Sequence, residues 1–127
     1  MGKRGKAAIV REYNKPVSVE EIEVESPHRG EVMVKIAACG VCHSDYSAVN
    51  ATIPMPPPLV IGHEAAGVIE EVGEGVDDIA VGDHVAIVWI PMCGQCRYCV
   101  EGRPALCDMS AKAVFTLPDG TSRLKDR

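Results

Sequence analysis

Four cysteines lie within fifteen residues in the stretch "PMCGQCRYCVEGRPALC": Cys93, Cys96, Cys99 and Cys107. Their spacing is C-x2-C-x2-C-x7-C, and gaps of two residues allow neighbouring thiolates to converge on one tetrahedral ion. Four thiolates leave no open coordination position, which is typical of a structural zinc site. The metal–ligand free energy would then stabilise a segment that is too small and polar to bury its own core. We therefore predict a zinc lobe over residues 91–108.

Other roles for these thiols stay open at this point. Closely spaced cysteines also hold iron–sulfur clusters, and four unrelated buried thiols would give the same composition. Disulfides are favoured in secreted proteins. The N-terminus "MGKRGKAAIVREYNK" has no apolar run of signal-peptide length, and no later run approaches the roughly 18 residues of a membrane span. We therefore expect a cytoplasmic chain with reduced cysteines.

A second group of residues with metal-binding chemistry lies in "GVCHSD" and "VIGHEAAG". Cys42 and His63 are twenty-one residues apart, and Gly62 allows close backbone approach just before the histidine. Asp45 and Glu64 are close in sequence to these residues, so their carboxylates could orient the metal ligands. Asp45 could accept the N–H of the imidazole nitrogen that does not bind the metal. A buried cysteine and a core histidine are each common, so the pair alone does not establish a metal site.

The elements that must position these residues are mainly strands. The chain of 127 residues has the length of one domain, with 46% hydrophobic residues and few aromatics, so valine, isoleucine and alanine must build its core. Three strands are predicted, in "KAAIVRE", "VSVEEIEVES" and "EVMVKIAACG". In the third, Val32, Val34 and Ile36 are expected on one face and Met33 on the other. "CHSDYSAV" predicts a short helix, and "IPMPPPLV" excludes regular structure after it. A strand, a glycine turn, an acidic loop and a second strand are predicted in "HEAAGVIEEVGEGVDDIAVGDHVAIVWIP". The expected fold is mainly β, an antiparallel barrel or sandwich with short helices.

The charge of the chain argues against two classes of partner. The formal net charge is −5, which gives no basic footprint for nucleic acid or for an anionic membrane surface. A zinc ribbon that binds nucleic acid is disfavoured for the same reason. We expect a small-molecule ligand instead.

Taken together, the motifs resemble the N-terminal part of the zinc-dependent medium-chain alcohol dehydrogenases. Four motifs occur in that family's order and spacing: "GVCHSD", "GHEAAGVIEEVGEGV", "VGDHV" and the four-cysteine lobe. The resemblance implies a GroES-like β-barrel with a structural-zinc lobe, in which Cys42 and His63 are two ligands of a catalytic zinc. It implies oxidation of an alcohol to an aldehyde or ketone with NAD or NADP, and full-length members of the family are usually homo-oligomers.

The resemblance also implies roles for single residues. Ser44 would accept the alcohol proton, and His43 occupies the position of a cofactor-phosphate contact. Ile53 and Trp89 fall near positions that line the substrate pocket. Ser47 stands where many members carry a proton-relay histidine.

Two features of the family are missing from these 127 residues. Its third catalytic ligand is a cysteine well downstream of the structural lobe, a position that Cys39 does not occupy. No G-x-G-x-x-G dinucleotide motif is present either. We therefore expect residues 1–127 to be a partial catalytic domain without its Rossmann domain, inactive on its own. The alternative is a truncated, non-catalytic zinc-binding module.

Overall fold

The computed structural model describes residues 2–113 and 115–126. Its helices are short, and the strand pairs within these residues are antiparallel, so the prediction of a mainly β fold with short helices is confirmed. The strands are β1 (Lys3–Val10), β2 (Ser18–Val24), β3 (Val32–Gly40), β4 (Leu59–Val60), β5 (Glu64–Val72), β6 (His84–Ala86) and β7 (Leu124–Lys125). The α-helices are α1 (His43–Val49) and α2 (Arg97–Val100), and 3-10 turns cover Pro104–Leu106 and Asp108–Ala111.

The first sheet has the strand order β4-β1-β2-β7. β1 and β2 pair along most of their length, from Lys3 opposite Val24 to Ile9 opposite Ser18. Side chains of Ala7, Ile9 and Ile22 form the buried cluster of this sheet. The proline-rich stretch was predicted to lack regular structure, but its last two residues form β4 and pair with the end of β1. Unlike the prolines before them, these residues have N–H groups to donate.

The second sheet has the order β3-β5-β6 and carries the candidate ligands at one end of its central strand. The predicted faces of β3 are wrong in part, because Met33 is buried and Ile36 is 49% exposed. Register shifts between Met33 and Val34, and between Ile36 and Ala38, explain this result. Each irregularity interrupts the strict alternation of a strand.

The described chain divides into two compact units. One comprises residues 2–87 and 123–126 and contains both sheets and α1. The other comprises residues 88–122 and contains the four-cysteine stretch, so it extends beyond the predicted lobe of residues 91–108 on both sides. Within the described residues, no helix combines the length and apolar character needed to cross a membrane.

Candidate metal centres

Helix α1 positions Cys42, which immediately precedes its first residue. Cys42 has an extended backbone, and its N–H donates to the Asp45 carboxylate over 3.0 Å. Asp45 is the third residue of the helix, so this bond is one half of a capping box that fixes where the helix begins. The cysteine side chain is therefore held at a defined helix end.

His63 is positioned by the glycine before it and by the same carboxylate. Gly62 has φ +112°, a backbone conformation that side-chain-bearing residues rarely adopt, and a Cβ there would lie 2.9 Å from the Cys39 sulfur. The Gly62 N–H donates to Oδ1 of Asp45 over 3.2 Å, and Nδ1 of His63 lies 3.3 Å from that oxygen. Asp45 is buried, so it bonds to both ligand-bearing segments with little competition from water.

The side chains of Cys42, His63 and Glu64 converge, with one ligand atom of each within 4.8 Å of the others. A sulfur and a nitrogen bound to one tetrahedral zinc would be about 3.5 Å apart, so the arrangement suits such an ion. Ser44 lies between two of these residues. Its hydroxyl donates to Sγ of Cys42 over 3.2 Å and lies 3.2 Å from Nε2 of His63. Nε2 therefore faces the cluster while Nδ1 faces Asp45.

Glu64 lies close to the two predicted ligands Cys42 and His63. It was predicted to support the ligands from behind, and one of its carboxylate oxygens lies within 4.8 Å of ligand atoms of Cys42 and His63. Glu64 begins β5 directly opposite Gly40 of β3, and a Cβ on Gly40 would lie 2.6 Å from Oε2 of Glu64. The glycine in "ACGVC" was the available signal, because it leaves room for this carboxylate.

The acid–base properties of the pair favour the metal-binding form of the thiol. Hydrogen bonds from Ser44 lower the pKa of Cys42, and the hydrogen bond with Cys42 raises the pKa of His63. A cation must bind thiolate and neutral imidazole, so it would displace a proton from the histidine.

The unit of residues 88–122 brings its four cysteines together. The sulfurs of Cys93, Cys96, Cys99 and Cys107 lie within 4.8 Å of one another, and two thiolates on one tetrahedral zinc are about 3.8 Å apart. Gly94 and Gly102 have φ of +73° and +79°, which allows the tight turns between the cysteines. Cys107 is buried and accepts the backbone N–H of Cys93 over 3.3 Å.

The thiols of this cluster do not titrate alike. Backbone N–H groups, first that of Asp108, lower the pKa of Cys96 to about 6. Burial raises the pKa of Cys99 to about 11. A thiolate surrounded by thiols is a donor arrangement that a soft cation stabilises.

The remaining predicted site residues lie outside the Cys42 group and the four-cysteine group. His43 is exposed on α1, and Ser47 is buried one turn later. Ile53 follows the helix, is 40% exposed, and donates its N–H to the Ser47 carbonyl over 3.0 Å. Trp89 is 70% exposed. It lines a cavity of about 210 Å³ within its own unit, together with Ile90, Pro91, Ala105, Ser110 and Ala113.

Antiparallel sheets, together with a Cys–His–Glu group and a four-cysteine group that could each hold a metal ion, define a β-rich class of domain with candidate metal sites. Residues 28–123 match the model of the alcohol dehydrogenase GroES-like domain, and the chain belongs to this family. The predicted GroES-like fold is therefore confirmed.

Similar proteins agree with this assignment. The NDMA-dependent alcohol dehydrogenase of Amycolatopsis methanolica is 47% identical over 119 residues, which is 93% of this chain and 32% of that protein. The crystal structure of an alcohol dehydrogenase zinc-binding domain protein from Burkholderia ambifaria has a TM-score of 0.91 and 36% identity, covering 99% of this chain and 34% of that one. Benzyl alcohol dehydrogenase from Acinetobacter calcoaceticus has a TM-score of 0.86 and 33% identity, covering 96% and 34%. The chain thus spans about a third of the length of these relatives.

Proposed function

We propose that this chain forms the zinc-binding part of an alcohol dehydrogenase that oxidises an alcohol to an aldehyde or ketone with a nicotinamide cofactor. The observation that carries this proposal is the convergence of Cys42, His63 and Glu64, with Asp45 bonded to the far side of the imidazole. A thiolate, an imidazole and a carboxylate are a donor set that zinc accepts in catalytic sites. Bound zinc would supply a Lewis acid beside the substrate oxygen.

Each neighbouring residue has a role that its contacts support. Asp45 accepts the Nδ1 proton of His63 and so keeps Nε2 free as the metal-binding nitrogen. The Ser44 hydroxyl lies beside both ligands, where it can accept a proton from a substrate hydroxyl. Glu64 supplies a third ligand from within this chain, in addition to the support that was predicted for it.

The four-cysteine cluster has a different role. Its four sulfurs would fill the coordination sphere of a zinc ion, so it is proposed as a structural site that stabilises residues 88–122. Only three short helical segments and no strand are described in that unit, which is consistent with folding that depends on metal.

The electron acceptor and the substrate are proposed on the family resemblance. NAD or NADP is the proposed acceptor, although one relative's name records dependence on NDMA. A small-molecule alcohol or aldehyde is the proposed partner, with Ile53 and Trp89 proposed near the substrate and His43 near the cofactor. Assembly into a homo-oligomer is proposed for the complete protein.

Zinc content tests the metal sites directly. The wild-type chain should hold two zinc ions, and the double variant Cys42→Ser/His63→Ala should hold one, measured by elemental analysis. Cys39→Ser is the matched control, because it removes a neighbouring thiol outside the ligand group and should leave both ions in place. Retention of both ions by the double variant would contradict the proposed site.

Activity separates the two candidate functions. A complete protein that joins residues 1–127 to a cofactor-binding domain should reduce NAD or NADP in the presence of primary or benzylic alcohols, followed by absorbance, whereas the 127-residue chain alone should not. Cys42→Ser should abolish this reaction and Cys39→Ser should preserve it. Two bound zinc ions without any dehydrogenase activity would instead support a non-catalytic zinc-binding module.

A further inference from the structure

The loop of residues 50–58, between α1 and β4, has few backbone donors. Four of its residues are prolines, which lack an N–H group: Pro54, Pro56, Pro57 and Pro58. Ile53 donates its N–H to the Ser47 carbonyl over 3.0 Å, and Met55 donates its own to the Ile53 carbonyl over 2.9 Å. Residues 54–58 therefore have no further N–H group to offer a neighbouring segment, and a hydrogen bond to such a segment needs a donor from outside the loop.

Tyr13 supplies that donor from the turn between β1 and β2. Its hydroxyl lies 2.8 Å from the carbonyl oxygen of Met55. A carbonyl oxygen can only accept, so the tyrosine must be the donor. Both residues are half-buried, which strengthens the bond relative to one in water. The next residue, Asn14, donates its N–H to the carbonyl of Val49 at the end of α1 over 2.8 Å, so the turn is bonded to both the helix and the loop.

These bonds join Tyr13 to Ile53 through the backbone. The carbonyl of Met55 accepts from Tyr13, and the N–H of Met55 donates to Ile53. Ile53 is thus held on two sides, at its N–H by α1 and at its carbonyl by a residue that Tyr13 fixes. Its side chain is 40% exposed, so it remains accessible to a small molecule.

We propose that Tyr13 is a positioning residue that fixes Ile53 and thereby limits the size of the alcohol that the complete protein accepts. This inference rests on the proposed function, in which Ile53 lies near the substrate. A side chain on a fixed backbone excludes a bulky group more strictly than one on a mobile loop, because a mobile loop moves aside. Tyr13 acts through Ile53 and not by contact with the substrate.

Amide hydrogen exchange, followed by NMR of the 127-residue chain, tests the positioning. Tyr13→Phe removes the hydroxyl and keeps the ring. The amides of Ile53 and Met55 should exchange about three- to tenfold faster in this variant, as expected for the loss of one neutral hydrogen bond. The amide of Ile69 in β5, which donates to the Asp83 carbonyl, should be unchanged. Equal exchange rates of Ile53 and Met55 in the variant and the wild type would overturn the proposal.

The effect on specificity is tested with the ratio of kcat/KM for benzyl alcohol to kcat/KM for ethanol, measured on the complete protein. This ratio should rise about three- to tenfold in Tyr13→Phe, through a lower KM for the bulky alcohol. It should also rise in Ile53→Ala. Adding Tyr13→Phe to Ile53→Ala should change the ratio little further, because Tyr13 acts through the side chain already removed.

Tyr98→Phe is the matched control, because it removes a tyrosine hydroxyl from the unit of residues 88–122 and should leave the ratio unchanged. An unchanged ratio in Tyr13→Phe, or full additivity with Ile53→Ala, would contradict the role in specificity. A complete wild-type protein that oxidises no alcohol would contradict the proposed function instead. The exchange rates of Ile53 and Met55 would still decide whether Tyr13 holds the loop.

Discussion

The carboxylate of Asp45 lies 3.3 Å from Nδ1 of His63, and the same oxygen accepts the backbone N–H just before that histidine. Its other oxygen accepts the backbone N–H of Cys42. A single buried side chain thus joins the two segments that carry the candidate ligands. The geometry of the site depends on this carboxylate as much as on the ligands themselves.

Replacing Asp45 with asparagine should weaken zinc binding at the Cys42 site by roughly 10–100-fold, the usual cost of losing a partner behind a metal-bound histidine. The reason is that an amide lacks the charge and one of the acceptor oxygens that hold the imidazole and both backbone groups. Competition with a chromophoric chelator measures the affinity. Asp83→Asn, at a turn where Asp83 accepts the Ala80 N–H, is the control. Equal affinities for Asp45→Asn and the wild type would contradict the role of this carboxylate.

Gly62→Ala should destabilise the chain and displace His63. The positive φ of Gly62 costs about 1–3 kcal/mol for a residue with a side chain, and the added Cβ would also meet the Cys39 sulfur at 2.9 Å. Denaturant unfolding measures the stability, and chelator competition measures zinc binding.

Gly82→Ala separates these two effects, because Gly82 has φ +97° with nothing within 4 Å of an added Cβ. It should show the backbone cost alone and leave zinc binding unchanged. Adding Cys39→Ala to Gly62→Ala should recover part of the loss. Equal unfolding free energies for the two single glycine variants would show that the contact with Cys39 has no effect.

Glu64→Gln should weaken zinc binding at the Cys42 site, because an amide is a poorer zinc ligand than a carboxylate. Gly40→Ala should weaken it as well, since its Cβ would occupy the place of the Glu64 carboxylate and force that flexible side chain away. Glu74→Gln, at a side chain 79% exposed, should have no effect. Full affinity in both Glu64→Gln and Gly40→Ala would mean that Glu64 is not a ligand.

The stability of the larger unit should fall in acid through Glu31. Arg123 donates two hydrogen bonds to Glu31, over 2.9 and 2.8 Å, and they lower the pKa of this carboxyl below its ordinary value. A carboxyl whose pKa is lowered in the folded state stabilises that state fully at pH values above its ordinary pKa. This stabilisation is lost as the pH falls through the lowered pKa. Arg123→Gln should therefore cost about 1.5–3 kcal/mol at neutral pH and much less in acid.

Denaturant unfolding at several pH values measures this dependence. Arg29→Gln is the matched control, because its pair with Glu74 is almost fully exposed and should contribute little. The same loss for Arg123→Gln at every pH would contradict the assignment to Glu31.

Local spacing was enough to predict the four-cysteine cluster, because two-residue gaps bring Cys93, Cys96 and Cys99 together and a gap of only seven residues lets Cys107 join them. It also predicted α1 and the antiparallel strands, whose patterns extend over neighbouring residues. The faces of β3 were missed because the irregularities near Met33 and Ile36 depend on pairing with β5. The pairing of Glu64 with Gly40 was likewise not predicted, since it follows from the register between β3 and β5. Contacts between strands are what local sequence patterns do not encode.

Anomalous X-ray scattering from crystals of the zinc-loaded chain, recorded on both sides of the zinc absorption edge, tests the central claim most directly. Two zinc peaks are expected. One should lie among the sulfurs of Cys93, Cys96, Cys99 and Cys107, and the other between Cys42 and His63, within bonding distance of the Glu64 carboxylate. A single peak in the four-cysteine cluster, with none between Cys42 and His63, would contradict it.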